Sequence, residues 1–102
     1  MPTKTTKKQV VVFARAPNSN WARILYGTLV ASDTAKGTAT LTDVRQCLYY
    51  SKETGGETGL AAIGPQSGSR VSPKASGSMQ IAGVGLVAEC SAAAAMAWES
   101  FK

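Results

Sequence analysis

The chain has 102 residues, 44% of them apolar, and a formal net charge of +5 from 11 Lys and Arg against 6 Asp and Glu. One domain with a real core is expected at that length. With no histidine present, the commonest general base and metal ligand are missing, and no apolar run approaches the roughly 20 residues of a membrane-spanning helix.

The surplus charge is local. Lys4, Lys7 and Lys8 crowd the opening "MPTKTTKK", and from residue 9 onward eight cations face six acids. Residues 1–8 therefore read as a flexible basic tail able to make weak, salt-sensitive contacts with phosphate backbones. Residues 9–102 read as a single β-rich domain. The run "VVVFARA" behind the lysines is too short, and too interrupted by Arg15, for a signal peptide. A cytoplasmic location is expected, and Cys47 and Cys90 then read as small buried side chains rather than a disulfide framework.

"QVVVFARA" (9–16) is β-branched and predicts a strand, and "APNSN" (16–20) predicts a turn. "WARILYGTLVAS" (21–32) carries apolar groups at both parities, as a central strand covered on both faces would, with Gly27 marking a bulge or bend. "SDTAKG" (32–37) predicts a hairpin turn. In "TATLTDVRQCLYYS" (38–51), Ala39 and Leu41 share one parity, whereas Val44, Leu48 and Tyr50 take the other. A phase break near Asp43, as a bulge or a tight turn, is required.

The adjacent glycines of "KETGGETG" (52–59) predict a turn or loop, and "LAAIG" (60–64) fits a helical turn or a strand equally well. A long Gly/Ser/Pro segment follows, carrying Arg70 and Lys74 but no acid. "SMQIAGVGLVAEC" (78–90) returns to strand-like sequence with glycines that predict a bend. In "SAAAAMAWESFK" (91–102), Ser91 is a good N-cap for an alanine-rich helix. Ala95, Trp98 and Phe101 lie on one face there, with Trp98 as the anchor. The expected fold is a small β-rich α+β domain of five or six short, mostly antiparallel strands with one C-terminal helix.

The side chains needed for proton transfer are scarce. No serine has a histidine partner, and two distant cysteines without histidine give no zinc signature. "GVGLVA" (83–88) matches a dinucleotide-binding pattern in form only, because too little chain follows it for the helix and second strand that the motif requires. No catalytic residue, metal ligand or cofactor is assigned. Ligand binding is the remaining class. On a strand over 44–52, Arg45, Tyr49 and Ser51 would share a face able to stack a base and hold a phosphate. In the glycine-rich segment, backbone N–H groups could form an anion nest, with Arg70 and Lys74 adding charge. These five residues form the candidate ligand site. The alternatives are a core aromatic at Tyr49 or Tyr50 and a plain surface loop.

The stretch from Leu41 to Pro73 resembles a family of small phage and prophage proteins carrying a domain of unknown function. Arg45, Cys47, Tyr49 and Ser51 match its strand motif, and Gly59, Leu60, Ala61, Gly64 and Pro65 match a Gly-Leu-Ala-x-x-Gly-Pro turn. Arg70, Val71 and Pro73 match an Arg-Val-x-Pro stretch, and Ala97, Trp98 and Glu99 match a final Ala-Trp-Glu helix. Tyr50 stands where the family has tryptophan, and Ser69 where a cysteine is usual, so any chemistry of that cysteine is lost here. The resemblance implies a phage context and brings no known activity.

The expected function is that of a non-enzymatic phage accessory protein that binds and blocks or sequesters a host component, either a host protein or a small anionic nucleotide of a defence system. Homo-oligomerisation is expected, because a short sheet leaves edges that a symmetric copy can pair. The alternatives are a virion or assembly structural protein and a nucleic-acid binder working through the tail.

Overall fold

The β-branched run behind the lysines forms β1, Lys8–Arg15, in the computed structural model of the chain, which describes residues 8–15, 22–33 and 35–101. β1 pairs antiparallel with β2, Ala22–Asp33, from Lys8↔Leu29 to Arg15↔Ala22. β2 in turn pairs with β3, Thr38–Tyr49. The hairpin turn predicted before β3 is present: the Asp33 carboxylate accepts hydrogen bonds from the Ala35 and Lys36 amides at 3.1 and 3.2 Å, the local bonding that suits Asp to turns. The predicted turn at 16–20 and tail residues 1–7 lie outside the described residues. Lys8 already belongs to β1, where its ammonium lies 3.5 Å from the Glu89 carboxylate.

The predicted phase break is a bulge. Asp43 adopts a positive φ of 55°, and the register slips between Tyr26↔Arg45 and Thr28↔Thr42, so Gly27 faces the extra residue. The two sequence signals, Gly27 and Asp43, therefore mark opposite sides of one irregularity. Its effect is to place Leu41 and Val44 in the same apolar cluster, while Arg45 and Cys47 turn to the other face.

After β3 come a 3-10 turn, Lys52–Thr54, and helix α1, Gly56–Ala62. Residues 56–59, predicted as turn or loop, are thus helical. Gly55 and Gly56, at φ of 84° and 78°, break one helical turn from the next instead of forming a loop. A two-residue strand, β4 (Arg70–Val71), pairs with the end of β3. β5, Ala75–Ala82, pairs with its beginning. β6, Val84–Glu89, pairs with β1, and α2 covers Ala92–Ser100.

The predicted bend falls at Gly83. Because β5 lies on β3 and β6 on β1, the chain from Ala75 to Glu89 runs from one edge of the β1–β2–β3 meander to the other and curls it into a ring. Two backbone hydrogen bonds of 2.9 Å weld the corner, Arg15 N to Gly83 O and Val84 N to Gly37 O. Gly83 has φ of 72°, and a Cβ there would run into the Arg15 carbonyl, so only glycine suits both the conformation and the close approach.

Two apolar layers result. Inside the ring, Val10, Val12 and Ala14 meet Leu25, Leu41, Val44 and Ile81. On the outer face, Val11, Tyr26 and Cys47 meet Leu60 and Ala61 of α1 and Trp98 of α2. Coverage on both faces, predicted for β2, is shared by β1, which explains the unbroken run "VVVF". Ser91 caps α2 as predicted, accepting from the Ala94 amide at 3.0 Å. It also ties off α1 by donating from its amide and hydroxyl to the Ala61 and Ala62 carbonyls, two of the acceptors a helix end leaves open. The buried stripe of α2 is Ala94 and Trp98, one turn apart. Ala95 and Phe101, which the three-residue spacing placed beside Trp98, are half-buried.

If Gly83 closes the ring by close approach, Gly83→Ala will cost about 3 kcal/mol in urea unfolding, from left-handed strain plus overpacking. Gly77→Ala, at φ of 89° with open space where its Cβ would point, will cost only the strain, about 1 kcal/mol.

Candidate functional site

The bulge delivers Arg45 to the helix side of the sheet, opposite Tyr26. There α2 is held by a set of polar contacts around Trp98, which is fully buried. Its ring stacks on Tyr26 with centroids 5.0 Å apart and planes within 5°, and its indole N–H donates to the Leu60 carbonyl at 2.9 Å. Arg45 donates from Nη1 to the Trp98 carbonyl and from Nε to the Ser72 carbonyl, the latter at 2.9 Å. A buried guanidinium thus satisfies a carbonyl in the last turn of α2, where the helix dipole favours a cation. Next to it, the Tyr26 hydroxyl donates to Glu99 at 2.7 Å, and Lys74 forms an ion pair with the same carboxylate. α2 approaches closely because Gly64 lies beneath it: a Cβ there would come within 2.6 Å of Ala97 Cβ and 2.9 Å of the Ala94 carbonyl.

The electrostatics follow from this packing. Burial pushes the Tyr26 phenol far above its ordinary range, and its hydrogen bond to Glu99 adds to the rise. Burial alone would raise Glu99. Hydrogen bonds from Lys74 and Tyr26, with the charges of Lys74 and Arg45, outweigh that and hold the carboxyl below its usual value of 4.5. Burial pushes the thiols of Cys47 and Cys90 up to about 11. Both are therefore protonated at neutral pH and poor nucleophiles.

The Gly/Ser/Pro segment is a strap bound along the sheet rather than a slack loop. Ser69 Oγ accepts from the Ser51 amide at 2.9 Å and lies 3.4 Å from both Ser51 Oγ and Thr54 Oγ1. Thr54 Oγ1 in turn accepts from the Gln66 amide at 3.2 Å. Ser51, Thr54 and Ser69 are all buried, and the Ser69 and Thr54 hydroxyls meet backbone N–H groups that would otherwise be stranded. Further on, Ser72 Oγ accepts from the Gln46 amide at 2.8 Å, and the Ser72 amide donates to the Gln46 carbonyl at 2.9 Å.

The five predicted ligand residues fall into separate places. Arg45 and Lys74 brace α2, and Ser51 belongs to the buried hydroxyl cluster. Tyr49 and Arg70 meet as cross-strand partners on β3 and β4, both exposed. The strand face predicted over 44–52 is split, because Arg45 and Cys47 are buried beneath the helices while Tyr49 is 58% exposed.

A concave site lies elsewhere, where β5 and the ends of β1 and β2 diverge. It is a cavity of about 670 Å³. Its apolar floor is the outer end of the ring's interior: Ala14, Leu25, Val44 and Ile81, with Met79 beside them. Arg15 and Arg23 stand at one side, and Gln46, Gln80 and Ser72 supply neutral polar groups. The sequence held one clue to it, in the parity shared by Arg23 and Leu25 on β2. Grouping these residues required knowing that β5 pairs with the beginning of β3 and so comes near the ends of β1 and β2.

The chain belongs to a family described as a domain of unknown function (DUF6948), which matches residues 7–98, from the start of β1 to the buried tryptophan of α2. No curated protein and no solved structure matches it.

Glu99, depressed in the folded state, contributes stability that is present above its ordinary value of 4.5 and is lost as pH falls through the folded value. The stability gap between the wild type and Glu99→Gln, measured by urea unfolding, is expected to be widest near pH 7 and to close on acidification below 4.5. A gap independent of pH would mean that the carboxylate charge does not hold α2.

Proposed function

We propose that the protein is a non-enzymatic, phage-encoded accessory protein that works in the host cytoplasm by binding and sequestering a host component, with a small anionic nucleotide as the foremost ligand and a host protein as the other. The cavity of about 670 Å³ is the observation that supports this role. It lies within the roughly 300–1,000 Å³ of small-molecule sites and combines apolar walls with a few polar groups. Sequestration needs only shape and charge, which this site offers. A nucleotide held on Tyr49 and Arg70 is the second placement, supported by their exposed cross-strand pairing.

An assembly or virion role has its own support in β6, which among the described residues pairs with β1 alone and exposes Leu86 and Val87. Such an edge can pair with a second copy. A nucleic-acid role would rest on the tail, which lies almost wholly outside the described residues.

Native mass spectrometry of protein purified from phage-infected cells separates these roles. Sequestration predicts a retained mass of small-molecule or host-protein size. It also predicts thermal stabilisation by the ligand, about 2.7 kcal/mol at a hundredfold excess over Kd. Recovery in purified particles, with no retained mass, would replace sequestration with the assembly role.

A further inference from the structure

The geometry points to the cavity between β5 and the ends of β1 and β2 as a site for a small amphiphilic organic anion. Its apolar body would lie on Leu25, Val44, Met79 and Ile81, and its phosphate or carboxylate head at Arg15 and Arg23. Resting on the binding role proposed above, this names the place and the ligand chemistry.

Charge is the first argument. Among the described residues that line the cavity there are two arginines and no acid, although the chain beyond residue 8 is nearly balanced in charge. Both arginines stand at the same end of the β1–β2 ladder, since Arg23 pairs with Ala14 and Arg15 with Ala22. Arg23 shares the parity of Leu25, the strand face that turns into the ring. Guanidinium groups recognise phosphate and carboxylate by paired, planar hydrogen bonds, which a lone ammonium does not offer.

The apolar floor is the second argument. Leu25, Val44 and Ile81 belong to the interior cluster, and the cavity extends that cluster outward. A ligand with an apolar body gains by covering it. The third argument concerns Gln46. It pairs with Leu25 and shares the parity of Val44, both of the interior cluster, which puts its side chain on the cavity's face of the sheet. With Gln80, it provides donors and acceptors that can meet a polar edge on the ligand.

The test uses anilinonaphthalene sulfonate, an apolar anion whose emission rises on apolar contact, with competition by a purine nucleoside monophosphate and by decanoate. The expected result is saturable binding to the native protein, with displacement by one of the two competitors identifying whether the natural head is a phosphate or a carboxylate. Arg23→Gln is expected to weaken binding by about tenfold or more. Ala75→Phe, which fills the cavity at the start of β5, abolishes it while near-ultraviolet circular dichroism stays native. Should Ala75→Phe fail to fold, Arg23→Gln and a rise in Kd with salt carry the test. Three results would overturn the assignment: no binding by any probe, affinity unchanged in both variants, or equal competition by adenosine and decanol, which lack the charge. An empty cavity together with a co-purified host protein would overturn this site yet leave sequestration standing. Cavity binding by a protein found only in particles would keep the site and overturn sequestration.

Discussion

The left-handed backbone at Asp43 inserts one extra residue into β3, and the two faces of the sheet depend on it. An unbroken strand would carry the parity of Ala39 and Leu41 on to Arg45 and Cys47, burying a guanidinium inside the ring and turning Val44 out under the helices. With the bulge, Val44 completes the interior cluster, and Arg45 reaches the last turn of α2. Bulges commonly re-aim side chains in this way. Here the displaced residue links the sheet to the helix and, through Ser72, to the strap.

Several polar groups that look chemical serve that joint. Arg45, Glu99, Lys74 and Tyr26 fix α2, while Ser51, Thr54 and Ser69 close the start of the strap. Arg45, Cys47, Leu60, Gly64 and Trp98 all lie in this region. Their shared role is to hold two helices on one face of a sheet. Ser69 sits in the hydroxyl cluster and accepts a backbone N–H. A sulfur there would be a weaker acceptor, so hydrogen bonding accounts for a serine at this position.

The parts of this fold that were legible in the sequence were local. The β-branched run, the Asp33 turn, the parity change at Asp43, the bend among the late glycines and the Ser91 cap each depend on a few neighbouring residues. α1 was hidden because Gly55 and Gly56, strong loop residues, stand directly before its remaining turns. The residues grouped as a candidate site are spread apart for a different reason. Strand parity grouped Arg45 with Tyr49 and Ser51, but β3 ends at Tyr49, and nothing local reveals that α2 covers only the first of the three. The cavity draws on β1, β2, β3 and β5, so it became visible only with the ring.

The corner at Gly83 also sets an order of events during synthesis. β1 takes β2 as one neighbour, but its other neighbour is β6, with Val10 opposite Glu89. A nascent chain that has delivered only the β1–β2–β3 meander leaves the β-branched edge of β1 without its second partner until β6 has left the ribosome. Pairings this distant in sequence make folding slow, and an open β-branched edge is an aggregation hazard while it lasts.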